Sequence, residues 1–341
     1  MRALVLDAKN APFRLEQREP PRLEPSTVLL RVRACGVCHR DLIDRRGLYP
    51  FSVFPRVIGH EIAGDVMEVG PGVTSFKKGD RVATTHRPSC GQCRACRANE
   101  PARCERSIWS YGMTVDGGYA EVCLAHEGTL VKIPDKIDYI NASFLHCTAA
   151  VALRALFDRG KLVLGETVLV TGASGGVGVH ALQLIKHVEA RSIAVTSNES
   201  KAAELKDLGA NEVIVVKPGT KLQDEVARLT DGQGVDMALE LVGAPTWNAS
   251  VKSLRPGGRM VLVGNVTADR VEMNPGYFIL KEIELLGSAS AKRGDLESIF
   301  ELVAKGFIKP VLAGTLPLED AEKAHERLRS RDVIGRLVLL P

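Results

Sequence analysis

Residues 168–188 read VLVTGASGGVGVHALQLIKHV, and this stretch decides the fold of the second half of the chain. A continuous apolar run, Val168–Thr171, leads into a glycine-rich turn, after which apolar residues recur at helical spacing. Glycines in such a turn let a pyrophosphate approach the backbone N–H groups at the positive end of the helix. In the dinucleotide fingerprint G-x-G-x-x-G the aligned residues are Ala173, Gly175 and Gly178, so alanine replaces the first glycine. We expect a dinucleotide to contact Ser174, Gly175, Gly176, Val177 and Gly178.

Apolar runs and helical segments alternate after this loop. The runs are Ile193–Thr196, Val213–Val216, Val235–Val242, Met260–Val263 and Ile283–Leu286. This alternation predicts an α/β domain with a doubly wound parallel sheet that has helices on both faces. Before residue 147, short alternating runs are broken by turn dipeptides, which predicts a β-rich domain with long loops. The expected divisions are therefore 1–147, 148–287 and a C-terminal segment, 288–341.

The composition is that of an ordinary globular protein. The 341 residues are 45% hydrophobic and 25% charged, which argues against disorder, collagen and coiled coil. A net charge of +4 is too weak to indicate nucleic acid or a membrane surface as a partner. No stretch approaches the roughly 18 consecutive apolar residues of a membrane span, and MRALVLDAKN is not typical of a signal peptide. We expect a cytoplasmic protein of about two domains that acts on a small molecule.

The second strand of the doubly wound domain bears on the choice of dinucleotide. An NAD site usually has an acidic residue about 20 residues after the glycine loop, where it binds the ribose hydroxyls. Here the strand ends with Thr196 and Ser197, and Lys201 follows one helical turn later, a set that suits a 2′-phosphate. The sequence therefore predicts NADP(H) rather than NAD(H). Two alternatives stay open: Glu199 binds the ribose, or the two hydroxyls only cap the next helix.

Four of the eight cysteines lie in one short segment, CGQCRACRANEPARC, at residues 90–104. Four thiolates at this spacing can enclose Zn²⁺ in a closed tetrahedron, which is a structural site. An iron–sulfur cluster is the rival, and a nucleic-acid-binding zinc finger would require a basic recognition helix beside the metal. The predicted structural zinc ligands are Cys90, Cys93, Cys96 and Cys104.

A second, open metal site is formed if three distant pieces of the chain converge. The candidate ligands are Cys38 in CGVCHRD, His60 and Glu61 in VIGHEIAGDVMEVG, and Cys147 in FLHCTAAVALRAL. Cys35 and Cys38 also form a CxxC pair, so a redox couple is a formal alternative, although no thioredoxin-like pattern surrounds them.

Together these motifs resemble the zinc-containing medium-chain dehydrogenase/reductase superfamily. The similarity covers essentially the whole chain and includes GHE before a glycine-rich strand, GDRV, the four-cysteine segment, DGGYAEV and the glycine loop. Within the superfamily the chain resembles archaeal and bacterial zinc alcohol dehydrogenases. Two C-terminal stretches, GYFILKEIELLGSASAKR and IKPVLAGTLPLEDAEKAHE, are especially similar to archaeal acryloyl-coenzyme A reductases.

The resemblance implies a GroES-like catalytic domain, to which residues 288–341 return, and a Rossmann domain. It implies that Cys38, His60 and Cys147 bind a catalytic zinc, with Glu61 as an exchangeable ligand or near neighbour. Asp41 would orient His60 through its other ring nitrogen. The resemblance also implies homodimers or homotetramers, with the edge strand near Ile283–Leu286 as a candidate for pairing between subunits. Further cofactor contacts implied by family position are Val242, Gly243, Val263, Gly264 and, at the phosphates, Arg336.

Two departures affect the expected substrate. Zinc alcohol dehydrogenases usually have serine or threonine two residues after the first zinc cysteine, where a proton relay begins. Here that position is Arg40, and the usual distal histidine corresponds roughly to Ile43. His39 is a candidate proton shuttle, a cofactor-phosphate contact or an exposed strand residue.

Three functions remain after these observations. The sequence favours a zinc-dependent, NADP(H)-linked alcohol dehydrogenase or carbonyl reductase. The alternative is an NADPH-dependent enoyl-thioester reductase of the acryloyl-coenzyme A type. A non-catalytic cofactor-binding protein would be indicated by a missing ligand among Cys38, His60 and Cys147, and all three are present.

Overall fold

A computed structural model describes residues 1–49, 52–107 and 109–341. These residues divide into two units. The first contains Met1–Ala150, Ser290–Gly306 and Pro310–Pro341, and the second contains Val151–Ala289 and Phe307–Lys309.

The strands are β1 (Arg2–Leu6), β2 (Arg14–Gln17), β3 (Thr27–Val37), β4 (Arg56–Val57), β5 (Glu61–Val69), β6 (Arg81–Thr84), β7 (Val122–His126), β8 (Leu130–Lys132), β9 (Thr167–Val170), β10 (Arg191–Thr196), β11 (Glu212–Val215), β12 (Val235–Glu240), β13 (Leu254–Leu262), β14 (Glu284–Gly287), β15 (Leu312–Pro317) and β16 (Arg336–Leu340). The helices are α1 (His39–Arg45), α2 (Arg94–Arg97), α3 (Tyr139–Leu145), α4 (Val151–Leu153), α5 (Gly176–His187), α6 (Ala202–Asp207), α7 (Leu222–Leu229), α8 (Ala244–Ser253), α9 (Pro275–Lys281), α10 (Arg293–Ala304) and α11 (Ala321–Arg329).

The second unit is built on a six-stranded parallel sheet with the order β11-β10-β9-β12-β13-β14. All strands are parallel, and the order in which the chain adds them reverses at β9: β10 and β11 lie on one side of it and β12, β13 and β14 on the other, as in a Rossmann fold. The predicted doubly wound α/β fold is confirmed. The apolar runs of β9, β10 and β12 are largely buried, as expected of central parallel strands, whereas the edge strands β11 and β14 are partly exposed.

The first unit contains a seven-stranded sheet and a three-stranded sheet. The larger sheet has the order β15-β16-β3-β5-β6-β8, with β7 also paired to β3, and the smaller one is β2-β1-β4. Strands β15 and β16 come from the C-terminal segment, so residues far apart in sequence complete one sheet. The core of this unit includes Leu30, Ile62, Tyr119 and Leu337.

One predicted strand differs from the structure. The sequence predicts a strand over Tyr119–Leu124, but β7 begins at Val122. Before it, Tyr119 O accepts from Leu4 N, Glu121 N donates to Arg2 O, and Ala120 makes an isolated bridge to Ala3 of β1. The amides of Gly118 and Tyr119 donate to Gly59 O and Ile58 O. Tyr119 is thereby placed beside the residues that precede His60.

Cys147 lies in a π-helical turn, His146–Ala150, that directly follows α3. Such turns are frequent at functional sites. Among the described residues, the helical stretch Tyr139–Arg159 has the length and composition of a membrane span, but 72% of its most apolar window is buried in the protein. It is therefore readily explained as a core helix.

Candidate metal centre and dinucleotide site

Four potential ligands meet within the first unit. Cys38 is the residue before α1, His60 and Glu61 lie at the start of β5, and Cys147 lies in the π-helical turn. One ligand atom from each of these residues lies within 4.8 Å of all the others. His60 and Glu61 are buried, whereas the two cysteines are partly exposed.

The distances and donors of this cluster fit zinc. A tetrahedral ion with bonds of about 2.3 Å to sulfur and about 2.05 Å to nitrogen separates the two atoms by about 3.6 Å. Cys147 Sγ lies 3.5 Å from His60 Nε2. Neither carboxylate oxygen of Glu61 has a hydrogen-bond partner, and only Oε1 has an ion-pair partner, Arg336 at 3.1 Å, so the buried Oε2 is left for a metal ion.

The ionisation of the cluster also suits a cation. The hydrogen bond between the two thiols lowers the pKa of Cys38 well below its usual value and raises that of Cys147, so the pair holds one proton between them. Burial raises the pKa of Glu61 to about 8, although the charge of Arg336 opposes the shift. Because zinc binds thiolates, a bound ion would displace the shared proton.

Asp41 fixes the orientation of His60. His60 Nδ1 donates to Asp41 Oδ1 at 3.0 Å, and the backbone N–H of Cys38 donates to Asp41 Oδ2 at 2.8 Å. The carboxylate is fully buried and accepts hydrogen bonds, so a His60 ring that gives up a proton to bind a metal keeps its remaining proton on Nδ1. His60 Nε2 is thereby left free for a metal, which is the arrangement that the family resemblance implies for this pair.

Arg40 is held in place by several groups around the cluster. Its guanidinium contacts His86 Nε2, donates to Tyr111 O at 2.9 Å and lies 3.1 Å from Asp44 Oδ2. Burial, together with the charge of Arg40, keeps the pKa of His86 well below its usual value, so His86 is neutral and can accept from Arg40. Burial raises the pKa of Asp44 to about 7 despite Arg40. The sequence, in which His86 lies in a stretch that borders the pocket in relatives, does not predict that Asp44 and His86 contact Arg40, because nothing local marks them as its partners.

Two other predicted residues lie close to the cluster. Arg336 Nη2 lies 3.1 Å from Glu61 Oε1, and Arg336 Nη1 donates to Val37 O at 3.4 Å. The guanidinium is therefore directed at Glu61, and its expected phosphate contact stays a prediction. His39 is partly buried at the first position of α1, and burial lowers its pKa, so its imidazole is neutral at neutral pH.

The four-cysteine segment forms a second cluster in the first unit. The Sγ atoms of Cys93 and Cys96 are 3.4 Å apart, those of Cys90 and Cys96 3.9 Å, and those of Cys93 and Cys104 4.0 Å. A tetrahedral zinc with four thiolates requires about 3.8 Å between sulfurs. Backbone amides of Cys90 and Cys93 also donate to sulfurs of the cluster. The segment therefore fits a closed structural zinc site.

The glycine loop joins β9 to α5, and its backbone geometry suits an anion. Gly175 precedes the first residue of α5, and no described side chain caps this helix. A Cβ on Gly178 would lie 2.5 Å from Ala173 O, so only glycine allows the helix to pack this closely against the loop. The uncapped amides and the dipole of α5 fit a pyrophosphate.

The other residues predicted to contact the dinucleotide lie at or after the carboxyl ends of parallel strands in the second unit. Val242 and Gly243 follow β12, Val263 and Gly264 follow β13, and Thr196 ends β10. Lys201 is buried, and its Nζ donates to Ser174 Oγ at 3.4 Å, whereas Ser197 is exposed. Glu199 is paired with Lys217 at 2.8 Å. Thr196 Oγ1 accepts from Asn198 N at 3.2 Å, but the side chain that caps the helix beginning at Glu199 is that of Asn198, which accepts from Ser200 N at 3.0 Å.

The buried side chain of Glu240 supports this region, a role that the sequence did not predict. The side chain is fully buried at the end of β12. Its oxygens accept from the Thr171, Thr246 and Ser250 hydroxyls at 2.6–2.7 Å and from two backbone amides, Val242 N and Gly243 N, at 2.9 Å. The carboxylate therefore shapes the turn that holds Val242 and Gly243. The sequence signal that could have identified Glu240 is a carboxylate inside the otherwise apolar run Val235–Val242.

Comparison with known proteins agrees with this arrangement. Residues 24–135 match the model of the alcohol dehydrogenase GroES-like domain, and residues 176–305 match that of the zinc-binding dehydrogenase. An acryloyl-coenzyme A reductase from Metallosphaera sedula is 38% identical over 99% of both chains.

Solved structures give the same result. The crystal structure of AibC is 43% identical, with a TM-score of 0.92 over 100% of this chain and 96% of that one. A cobalt- and zinc-bound thermostable alcohol dehydrogenase from Pyrobaculum aerophilum is 30% identical, with a TM-score of 0.89 over 100% of this chain and 99% of that one.

The chain belongs to the zinc-type medium-chain dehydrogenase/reductase family, as its motifs indicated. It is an oxidoreductase of that family, whose named relatives include alcohol dehydrogenases and acryloyl-coenzyme A reductases.

Proposed function

We propose that the chain is an NADPH-dependent reductase of α,β-unsaturated thioesters. In this reaction a hydride adds to the β-carbon and a proton from water adds to the α-carbon, which gives a saturated thioester and NADP⁺. Acryloyl-coenzyme A is the simplest such substrate. The proposal reverses the order that the sequence alone favoured, and the observation that carries it is the environment of Arg40.

Arg40 occupies the position where an alcohol dehydrogenase of this family usually has a relay hydroxyl. An arginine does not release its proton, so it cannot take part in moving a proton from an alcohol to solvent. Its guanidinium is held by His86, Tyr111 O and Asp44. A fixed positive charge here favours negative charge that develops on a substrate carbonyl during hydride addition.

The residues of the first unit would hold the metal and the substrate oxygen. Cys38, His60 and Cys147 are the proposed ligands, and Glu61 is the exchangeable one. A zinc ion bound there would act as a Lewis acid that polarises the thioester carbonyl. Asp41 keeps His60 in the tautomer that binds metal.

The residues of the second unit would hold the dinucleotide, which supplies the hydride. The amides of the glycine loop bind the pyrophosphate. Thr196, Ser197 and Lys201 favour the 2′-phosphate of NADP(H), because Glu199 is engaged by Lys217 and Lys201 lies beside Ser174.

An alcohol dehydrogenase or carbonyl reductase is the second candidate. The observation in its favour is that Cys38, His60 and Cys147 are all present and close together, because a zinc ion held by them would polarise a simple carbonyl as well as a thioester. The neutral imidazole of His39 would then be the remaining candidate for a proton shuttle.

A substrate comparison tests the two candidates. With NADPH, we expect acryloyl- and crotonyl-coenzyme A to give a kcat/KM at least tenfold above that of simple aldehydes and ketones. The variant Arg40→Ser introduces the hydroxyl that alcohol dehydrogenases of this family usually have at this position. It should lower the ratio of enoyl-thioester activity to carbonyl activity. Preference of the unaltered enzyme for aldehydes or ketones would reject the enoyl-thioester proposal.

We also propose a homo-oligomer in the cytoplasm. β14 is an edge strand, and the adjacent α9 exposes Ile279 and Leu280 by 74% and 86%. Large apolar side chains beside an unpaired strand edge favour pairing with a second copy. The eight cysteines form no disulfide, and thiolate metal sites suit a reducing compartment.

A further inference from the structure

A buried chain of side chains extends from His60 to the C-terminal helix α11. After the bond from His60 to Asp41, Tyr119 Oη lies 3.3 Å from Asp41 Oδ2. His325 Nε2, on α11, lies 3.1 Å from the same Tyr119 oxygen. Asp41, Tyr119 and His325 are all 0% exposed, so water does not compete for these bonds.

Only one arrangement of protons satisfies all the hydrogen bonds that link Asp41, Tyr119 and His325. Asp41 can only accept, so the Tyr119 hydroxyl donates to it. The Tyr119 oxygen then accepts from His325 Nε2–H, which leaves His325 Nδ1 without a proton. His325 Nδ1 is buried and has no hydrogen-bond partner, an arrangement that is less costly for a bare ring nitrogen than for an N–H. Burial lowers the pKa of His325 to about 4, so the ring is neutral, as this arrangement requires.

We propose that Tyr119 and His325 are positioning residues for the metal ligand His60. Donation runs from His325 through Tyr119 to Asp41, and His60 donates to the other oxygen of the same carboxylate. With both oxygens occupied by donors, Asp41 cannot rotate away, and His60 presents Nε2 toward Cys147 Sγ at 3.5 Å. The proposal rests on the metal site described under the proposed function, and it adds to that site two residues that do not themselves bind the metal.

Packing supports a positioning role for both residues. Gly59, directly before His60, has a φ of +96°, and a Cβ there would lie 2.3 Å from Tyr119 Cδ1. The tyrosine ring therefore lies against the backbone that carries His60. The ring of His325 makes an edge contact with Phe13, with centroids 5.1 Å apart. The C-terminal segment thus contributes to the metal centre as well as to the sheet.

The test is zinc retention during titration of the intact protein with a chelator, with the four-cysteine cluster as internal reference. Tyr119→Phe keeps the ring but removes the hydroxyl, and we expect roughly tenfold weaker zinc binding at the Cys38 site. His325→Phe should have a smaller effect in the same direction, and His325→Gln, which restores an N–H donor, should recover most of it. Cobalt-substituted Tyr119→Phe should show altered ligand-field bands.

Tyr111→Phe is the matched control. Tyr111 is equally buried in the same unit, but its hydroxyl bonds to Thr129 at 2.7 Å and not to Asp41. This variant should lose stability without any change in zinc affinity or cobalt spectrum. Wild-type zinc affinity and cobalt spectrum in both Tyr119→Phe and His325→Phe would overturn the proposal.

The outcome of the zinc titration does not depend on which substrate the enzyme reduces. If aldehydes prove to be the better substrates, the enoyl-thioester function fails while the zinc titration still decides the roles of Tyr119 and His325. If Cys147→Ser leaves the zinc content and cobalt spectrum unchanged, the metal site itself is rejected, and this inference with it.

Discussion

Replacing Asp41 by asparagine would change the proton position on His60 with almost no change in shape. Asp41 Oδ2 accepts from the Cys38 amide at 2.8 Å, and Oδ1 accepts from His60 Nδ1 at 3.0 Å. Because the backbone N–H of Cys38 can only donate, the asparagine oxygen must face it, and the new NH₂ group then faces His60. His60 accepts at Nδ1 and carries its proton on Nε2, the nitrogen that the metal needs.

The cost of recovering the metal-binding tautomer follows from the lost bonds. To recover that tautomer, the asparagine amide must rotate, which breaks the hydrogen bond from the Cys38 backbone N–H. The amide NH₂ group then faces that N–H, so two donors oppose each other. One lost hydrogen bond and one unsatisfied buried donor cost about 1.5–3 kcal/mol, which corresponds to roughly 10- to 150-fold in zinc affinity. We therefore expect Asp41→Asn to bind zinc at the Cys38 site 10- to 100-fold more weakly, as is typical for partners of a ligating histidine.

The assay is competition with a fluorescent chelator, with zinc counted per chain. Asp44→Asn is the control, because Asp44 is also buried on α1 but pairs with Arg40 rather than with His60. Its zinc affinity should stay within about threefold of wild type. If Asp41→Asn binds zinc as tightly as Asp44→Asn does, the assigned orientation of His60 is wrong.

Three other changes test separate parts of the protein. Cys104→Ser removes one of four clustered thiolates, so it should release one zinc per chain and lower the Tm while the Cys38 site keeps its metal; an unchanged zinc count by metal analysis would reject the structural site. Lys201→Ala should raise the Kd for NADPH roughly tenfold and that for NADH less than twofold, measured by cofactor fluorescence; equal losses would contradict its role at the 2′-phosphate. Leu280→Lys places a charge on the most exposed apolar residue of α9, so sedimentation should detect a smaller assembly than wild type, and an unchanged mass would exclude this face from the interface.

Sequence reasoning succeeded where local spacing determines the structure. The glycine loop and the alternation after it predicted the doubly wound sheet, because strands and helices have different apolar periods. The four-cysteine segment was also predictable, since its members are close in the chain. Cys38, His60 and Cys147 could only be grouped through the resemblance, because β3, β5 and the π-helical turn are brought together by long-range packing.

The partners of buried polar groups could not be predicted. Nothing near Arg40 in the sequence indicates that His86 and Tyr111 O will hold its guanidinium. Nor does the run DGGYAEV indicate that Tyr119 leaves the strand and reaches Asp41. These contacts depend on how distant segments fold against each other, which apolar periodicity does not encode.

The most direct test of the metal centre is anomalous diffraction at the zinc edge from crystals of the purified protein. We expect two peaks per chain, one enclosed by the four-cysteine cluster and one bonded to Cys38 Sγ, His60 Nε2 and Cys147 Sγ at distances typical of zinc. A single peak at the four-cysteine cluster, from protein that is active with NADPH, would contradict the assignment of Cys38, His60 and Cys147 as ligands of a catalytic zinc.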